Sequence, residues 1–307
     1  MSRLVITGAS GFLGATALFE ARAQGRDVVA SYHERPIRSP GVRTVRADLS
    51  RPGAANELLT SLRPAWVLNC AALADADACQ RNPALARWLN VDLPRALAAS
   101  CRERGVRLLH LSSDSVFDGQ RGGYVEDDVP SPVNVYARTK LESEREVLDQ
   151  MADALIVRTN FVGFSADGQT GLADWIVRDL SAGKRISGFA DVVFTPLVAN
   201  ELARVLFEMM DMQLTGLYHV GGLRGVSKLE FATMLARELE LDETLIQRAR
   251  LDDARLEAPR PHNTSLCSSR LEAALGRRMA SVEDTVAHLG KLRRTGYPAQ
   301  LKSLLGS

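Results

Sequence analysis

From the N-terminus to about residue 160, short apolar runs alternate with longer amphipathic stretches. The runs are rich in Val, Ile and Leu and show little polar alternation, which is typical of parallel strands covered on both faces. This alternation predicts βαβ units and an α/β fold built on a doubly wound parallel sheet. We expect strands at 3–7, 27–31, 43–47, 66–69, 107–112 and 154–158, with intervening helices that include 14–24, 84–104 and 134–151.

Beyond residue 160 the pattern is less regular and predicts a second, smaller α+β domain. The predicted division is a first domain over 1–160, with a return segment at about 195–222, and a second domain over 161–307. We expect a loop at 163–171, helices at 172–181, 198–210, 228–240 and 281–292, short β pieces within 183–194, a return strand at 216–220, a proline-bearing loop at 258–262 and a loose helix at 297–307.

Composition and charge narrow the functional classes. The 307 residues are 46% hydrophobic and 24% charged, and 38 Lys and Arg balance 37 Asp and Glu, so the basic surface of a nucleic-acid-binding protein is not expected. The sequence contains no run of 18 apolar residues, so no membrane-spanning helix is expected. The four cysteines form no CxxC pair and the five histidines have no metal-ligand spacing, so we expect no disulfide, no metal site and a reduced cytoplasmic location.

The sequence TGASGFLG, residues 7–14, directly follows the first predicted strand. Its glycines, Gly8, Gly11 and Gly14, permit a tight turn, close approach of backbone amides to a pyrophosphate, and helix–strand packing. The helix that follows offers free N–H groups and a partial positive charge to phosphates. The segment therefore predicts a Rossmann-type dinucleotide site that includes Ser10, Phe12 and Leu13 with the glycines.

The end of the second predicted strand bears on cofactor choice. An aspartate that would hold an adenosine ribose diol is absent there, and the sequence reads Ser31-Tyr32-His33-Glu34-Arg35, with Arg38 close behind. A hydroxyl at Ser31 and guanidinium groups at Arg35 and Arg38 suit a 2′-phosphate, so NADP(H) is favoured over NAD(H). The alternative is that both arginines are solvated loop charges and that Glu34 reaches the ribose.

Candidate proton-transfer residues follow later in the chain. Tyr136 and Lys140 lie four residues apart on one face of a predicted helix, and Ser113 follows the fifth predicted strand, where ligands bind in parallel sheets. A nearby ammonium, joined by the positive charge of an oxidised nicotinamide, favours the phenolate form of a tyrosine, so we expect Lys140 and the cofactor together to lower the pKa of Tyr136. Because successive strand residues face opposite sides, only one of Ser112 and Ser113 can point into the cleft.

These segments, with NCAA at 69–72, come in the order and spacing of the extended short-chain dehydrogenase/reductases. LSSDSVFDG at 111–119 is similar to the STDYVFDG pattern of the dTDP-4-dehydrorhamnose reductase branch, and RPHNTSLCSSRL at 260–271 resembles its RPHNSxLxxxKL segment. The resemblance implies catalysis by Ser113, Tyr136 and Lys140, and a structural role for Asn90. It also implies cofactor contacts by Asp48, Leu49, Cys70, Ala71 and Ala72, and substrate contacts by Asp114, Ser115, Phe161 and Arg260.

The chain departs from that branch at two places. Ser115 stands where the branch has Tyr, and FTPLVANELA at 194–203 replaces a GAPTxxxDLA pattern. The leading hypothesis is an NAD(P)H-dependent reductase of a keto group on a nucleotide-activated sugar or similar polar substrate, with a possible homodimer. Two further hypotheses stay open: an NADP-binding regulatory subunit without turnover, as in methionine adenosyltransferase, and a nucleotide-sugar epimerase.

Overall fold

The computed structural model describes residues 2–305 and is organised around a seven-stranded parallel sheet with the order β3-β2-β1-β4-β5-β6-β9. Two further two-stranded sheets pair β10 with β8 and β11 with β7. The strands are β1 (Leu4–Thr7), β2 (Val28–Tyr32), β3 (Arg43–Arg46), β4 (Trp66–Asn69), β5 (Arg107–Ser113), β6 (Leu155–Thr159), β7 (Ile186–Phe189), β8 (Val193–Phe194), β9 (Gly216–Val220), β10 (Val226–Ser227) and β11 (Ile246–Ala249).

Helices cover both faces of the large sheet, which makes it doubly wound. They are α1 (Phe12–Ala23), α2 (Ala54–Leu62), α3 (Ala76–Arg81), α4 (Pro83–Arg87), α5 (Leu93–Arg104), α6 (Val135–Gln150), α7 (Leu172–Ser181), α8 (Ala199–Asp211), α9 (Lys228–Glu238), α10 (Ser269–Leu275), α11 (Val282–Arg294) and α12 (Tyr297–Lys302). Within residues 2–305, no helix is long and apolar enough to cross a membrane.

The alternation of side chains along each strand explains why the strands are apolar throughout. Leu4 and Ile6 of β1 pack into the core under α1 and α8, whereas Val5, between them, packs into the core under α2, α5 and α6. All three side chains are buried. A strand between two helical layers has no solvent side, so both sets of alternating positions must be apolar.

The predicted α/β fold is confirmed, and all seven predicted strands of the large sheet are present with bounds that differ by at most one residue. The uninterrupted helix predicted at 84–104 is wrong. A π-helical turn at Trp88–Asp92 separates α4 from α5. Pro94 lacks the N–H that a continuous α-helix would direct to the carbonyl of Asn90, and its ring would crowd that carbonyl, so the wider turn accommodates it.

Other helix bounds shift by a few residues, and helices α2, α3 and α10 were not predicted. The helix predicted at 14–24 begins at Phe12, and the one predicted at 228–240 ends at Glu238. The last predicted helix, 297–307, is α12 and ends at Lys302; residues 306–307 of that prediction lie outside the described part of the chain.

Candidate active site

The glycine turn between β1 and α1 is packed too closely for side chains at two positions. Gly8 has φ +63°, and a Cβ there would lie 2.8 Å from the Ala71 backbone. A Cβ on Gly14 would lie 2.2 Å from the carbonyl oxygen of Gly8. Among residues 2–305, no side chain caps the N-terminus of α1, so the first backbone N–H groups of the helix have no side-chain partner there. The turn therefore fits the pyrophosphate of a dinucleotide.

Beside this turn lies a cavity of about 90 Å³ that suits the adenosine end of such a ligand. Gly8, Ser31, Asp48, Leu49 and Ala71, all predicted cofactor residues, line it together. The Ser31 hydroxyl is buried and has no hydrogen-bond partner among the described residues. Because a buried hydroxyl without a partner is costly, a ligand hydrogen bond at this position is favoured.

The two arginines expected near a 2′-phosphate lie apart. Arg35 pairs with Asp167 (Nη1–Oδ2 3.2 Å), an aspartate on the loop predicted at 163–171. Arg38 lines a different cavity with Arg22 and Gln300, and neither arginine lines the cavity beside Ser31. Asp48 accepts from the Ser50 amide (3.0 Å) and its side chain, and these bonds lower the pKa of its carboxyl. A guanidinium contact from Arg35 or Arg38 to a 2′-phosphate therefore stays a prediction.

Cys70, Ala71 and Ala72 follow the carboxyl end of β4, and Ala71 lines the cavity beside the glycine turn. Asn69 shapes this end, since its side-chain oxygen accepts from the Thr7 hydroxyl (2.6 Å) and from the Ala71 amide (3.3 Å). Burial raises the pKa of the Cys70 thiol to about 12, so this thiol is neutral near pH 7 and does not act as a nucleophile.

Ser113, Tyr136 and Lys140 come together at the carboxyl end of β5. Lys140 is buried and its ammonium donates to the Leu111 carbonyl at 2.6 Å. The Ser113 hydroxyl lies beside the Tyr136 phenol and donates to Asp114 at 3.1 Å. Ser112 points to the other side, where it donates to the buried Glu144. The alternation of side chains on β5 thus separates the two serines as expected.

Lys140 is not among the groups that shift the pKa of Tyr136 in the described part of the chain, so its predicted effect together with an oxidised nicotinamide stays a prediction. Burial raises the pKa of Tyr136 to about 12, the nearby Asp114 carboxylate raises it further, and the Ser113 hydroxyl only partly offsets this rise. Burial also lowers the pKa of Lys140 to about 8. Desolvation is the largest cause of both shifts, and a pKa of about 12 keeps Tyr136 protonated at neutral pH.

Helix α6, which carries Tyr136 and Lys140, is held at its N-terminus from two sides. Asn134 caps the helix by accepting from the Ala137 amide at 2.8 Å, and its amide donates to the Pro259 carbonyl at 2.8 Å. Asn90, in the π-helical turn, donates to Thr139 at 3.0 Å and forms two hydrogen bonds with the backbone of Leu73. These bonds connect Asn90 to both α6 and the Leu73 backbone, which is consistent with the structural role expected for this residue.

A second cavity, of about 310 Å³, opens next to Ser113 and is lined by Asp114, Ser115 and Arg260. Asp114 is buried, and its carboxylate accepts from Thr264 (2.6 Å), Asn160 (2.9 Å) and Ser113. These bonds tie the strand that carries Ser113 to the wall of the cavity. Both carboxylate oxygens of Asp114 thus have hydrogen-bond donors within the protein.

Two other predicted substrate residues are held by protein contacts. Arg260 pairs with Asp77 (3.0 Å) and donates to the Ala258 carbonyl (2.6 Å), while Asp77 accepts from the Ala258 amide (2.9 Å). Phe161 packs edge-to-face on Phe12 with ring centroids 5.2 Å apart, at the first turn of α1. Among the described residues, no group of three or more His, Cys, Asp or Glu side chains is arranged to hold a metal ion.

Sequence reasoning missed several residues of this cavity. Asn160 and Thr264 lie inside the motifs RTNFVGF and RPHNTSLCSSRL, so their neighbourhood was signalled even though they were not chosen. Trp175 and Lys228 also line the cavity. Nothing in the sequence distinguishes Lys228 from a solvated lysine at the start of an amphipathic helix.

Comparison with known proteins places the chain in a family. The RmlD substrate binding domain family matches residues 2–293. The chain is 36% identical over 290 residues to a probable low-salt glycan biosynthesis reductase of Haloferax volcanii, covering 92% of this chain and 96% of that protein. It is 34% identical to a dTDP-4-dehydrorhamnose reductase of Mycobacterium tuberculosis (89% and 87% covered) and 29% identical to methionine adenosyltransferase 2 subunit beta of Bos taurus (88% and 81%).

Solved structures agree. A hypothetical dTDP-4-dehydrorhamnose reductase from Sulfolobus tokodaii superposes with a TM-score of 0.80 at 28% identity, covering 91% of this chain and 97% of that one. The fold is also that of the dTDP-4-dehydrorhamnose reductase of Bacillus anthracis in complex with NADP (TM-score 0.83, 23% identity, 94% and 98% covered). The chain therefore belongs to the RmlD family of the extended short-chain dehydrogenase/reductases.

Proposed function

We propose that this protein reduces a keto group on a nucleotide-activated sugar, with Tyr136 as the proton donor. The observation that carries the proposal is the placement of Ser113, Tyr136 and Lys140 at the strand ends, between a dinucleotide-binding turn and a cavity of about 310 Å³. Two relatives with at least 34% identity bear the names of a dTDP-4-dehydrorhamnose reductase and a glycan biosynthesis reductase. Their names support a sugar-nucleotide substrate.

Each residue has a distinct part in the proposed reaction. The Gly8–Gly14 turn and the cavity beside Ser31 would hold a nicotinamide cofactor, which would supply the hydride for reduction of the carbonyl carbon. Tyr136 is protonated at neutral pH and donates its proton to the carbonyl oxygen as negative charge develops there. The Ser113 hydroxyl orients that oxygen, and the Lys140 ammonium holds the cofactor ribose and favours the phenolate left behind.

The experiment that tests this function follows the absorbance of the reduced nicotinamide while a panel of nucleotide-linked 4-keto sugars is added. We expect oxidation with at least one sugar. Tyr136→Phe removes the proton donor but keeps the ring, so turnover should fall about 10²- to 10⁴-fold while cofactor affinity stays unchanged. Full activity of this variant would exclude the proposed mechanism.

We further propose that NADPH is preferred over NADH. The Ser31 hydroxyl, which has no hydrogen-bond partner among the described residues, and the Arg35 guanidinium, which closely follows β2 in the sequence, support this preference. Calorimetric titration should give tighter binding of NADPH than of NADH, and Arg35→Met should weaken NADPH binding about tenfold, as expected for a charge-assisted hydrogen bond, with no effect on NADH. Equal affinities in the wild-type protein would contradict the preference.

A second candidate is a cofactor-binding regulatory subunit, and the match to methionine adenosyltransferase 2 subunit beta supports it. This function predicts tight NADP(H) binding, no oxidation with any sugar of the panel, and a stable complex with a partner enzyme. An epimerase, by contrast, would retain its cofactor through purification and show no net oxidation. The panel, the search for a partner complex and the cofactor content of the purified protein therefore together separate the three functions.

A further inference from the structure

The Lys228 side chain stands out in the cavity beside Asp114. Its ammonium lies 3.5 Å from the centroid of the buried Phe194 ring and faces the cavity. Among the described residues no oxygen accepts a hydrogen bond from this ammonium. The contrast is Lys140, whose ammonium is bonded to the Leu111 carbonyl at 2.6 Å. Lys228 therefore presents free N–H donors to whatever enters the cavity.

The neighbouring charges do not explain why a cation stands here. Asp114 attracts the ammonium, but no ion pair within 4.0 Å joins the two in the described chain, and both Asp114 oxygens already accept from Thr264, Asn160 and Ser113. Arg260, the other cation of the cavity, is paired with Asp77. Among the described residues that line this cavity, Lys228 is thus the cation that remains available to bind a ligand.

The position in the helix also argues against a role in stability. Lys228 is the first residue of α9, directly after the capping Ser227, where the helix dipole is positive and a cation is unfavourable. The side chain is half-buried, and its partial desolvation adds to this cost and lowers the pKa of Lys228 to about 8. A residue that is unfavourable for folding on two counts is consistent with a binding role.

We infer that Lys228 is a specificity-determining residue that binds an anionic oxygen of the substrate, from either the diphosphate or a carboxylate on the sugar. The inference rests on the proposed sugar-nucleotide function and adds the charge of the group that the cavity selects. An ammonium with free donors gains most from a phosphate or carboxylate oxygen, since charge-assisted bonds are about twice as strong as neutral ones. The cation–π contact with Phe194 keeps the ammonium in place.

The test is calorimetric binding of thymidine, dTDP, UDP, UDP-glucose and UDP-glucuronic acid to the wild-type protein and to Lys228→Met. If Lys228 binds the diphosphate, the variant should lose about ten- to a hundredfold in affinity for every phosphorylated ligand and nothing for thymidine. If it binds a sugar carboxylate, wild-type protein should prefer UDP-glucuronic acid to UDP-glucose, and Lys228→Met should abolish that preference alone. Unchanged affinity for all five ligands would overturn the inference.

Two controls keep the result interpretable. Lys228→Arg retains the charge and should recover most of the affinity, whereas Lys184→Met removes an exposed lysine and should change nothing. Thermal unfolding of Lys228→Met should occur at an unchanged or higher temperature, because the variant removes a cation from the positive end of a helix. Binding needs no turnover, so a loss of affinity with no keto-sugar reduction would reject the proposed reductase function while the role of Lys228 stands.

Discussion

At the residue scale, burial decides which protons the candidate site holds. Tyr136 and Lys140 lie about one turn apart on α6, where desolvation raises the pKa of the phenol to about 12 and lowers that of the ammonium to about 8. Each group is displaced toward its neutral form, as expected where water is excluded. Near neutral pH the site therefore contains a protonated tyrosine and an ammonium that is close to losing its proton.

The pH dependence of reduction should follow Lys140. Since its ammonium is present below about pH 8 and lost above it, while Tyr136 stays protonated to about pH 12, kcat/KM should fall as pH rises through about 8. Lys140→Arg keeps the positive charge and should shift this fall to higher pH in a pH–rate profile, even if the maximal rate is lower.

Lys228 also has a pKa near 8, so the assignment requires a matched variant. Lys228→Met should weaken substrate binding but retain the fall in kcat near pH 8 at saturating substrate. A profile in which Lys228→Met loses the alkaline fall and Lys140→Arg keeps it would reassign the titration to Lys228.

At the scale of elements, the connection from β1 to α1 depends on the absence of side chains. Helix α1 starts directly over the Gly8 carbonyl, and Gly14 is the point of contact. An added methyl group meets backbone atoms there and not a flexible side chain, so neither partner can move aside without displacing the helix N-terminus. The geometry that would receive a pyrophosphate is thus set by the packing of the helix on the turn.

Gly14→Ala should therefore damage the turn and not just one contact. We expect a loss of about 1–3 kcal/mol in the free energy of unfolding, as for other overpacked sites, and at least a tenfold loss of NADPH affinity. Urea denaturation and calorimetry measure the two effects. Gly25→Asn is the matched control at the other end of α1, because Gly25 has φ +66° and open space around it, a conformation that asparagine tolerates. Equal NADPH affinity in Gly14→Ala would contradict the assignment of the turn.

At the scale of the whole molecule, a buried ion pair connects the sheet to the segments around it. Arg158 of β6 donates to Glu144 of α6 through Nε (2.9 Å) and Nη2 (2.7 Å), and both side chains are at most 5% exposed. The guanidinium also stacks over Phe117, which packs on Tyr124 with ring centroids 4.0 Å apart. The Tyr124 carbonyl in turn contacts His219 of β9 at 3.0 Å. The network thus joins elements from both halves of the chain.

Breaking this pair should destabilise the whole fold. Glu144→Leu leaves the Arg158 charge buried and unpaired, so we expect a loss of about 3–5 kcal/mol in the free energy of unfolding. The double variant Glu144→Leu with Arg158→Met removes both charges and should lose less than Glu144→Leu alone. The exposed pair Arg51–Glu57 is the control, since Glu57→Leu should change stability by less than about 1 kcal/mol. Urea denaturation of these variants and of Arg158→Met alone measures each loss in the free energy of unfolding. If the losses of the two single variants add up to that of the double variant, the pair is not coupled.

The sequence by itself determined the sheet and most of the helices between its strands, because those features follow local rules. Apolar runs without alternation specify buried parallel strands, and the glycines of residues 7–14 specify the tight turn between the first strand and the first helix. Even the missed interruption near Asn90 has a local cause in Pro94. The motifs that contain Ser113, Tyr136 and Lys140 likewise predicted which side chains would meet at the strand ends.

Tertiary structure alone decided the protonation and the charge of the site. The spacing of Tyr136 and Lys140 suggested mutual stabilisation of their charges, but the pKa of each depends on how much water the whole fold excludes. Lys228 lies near Asp114 although the two are far apart in the sequence, and Arg35 and Arg38, close neighbours in the sequence, line different parts of the molecule. Such relations depend on long-range packing, which no local pattern of residues encodes.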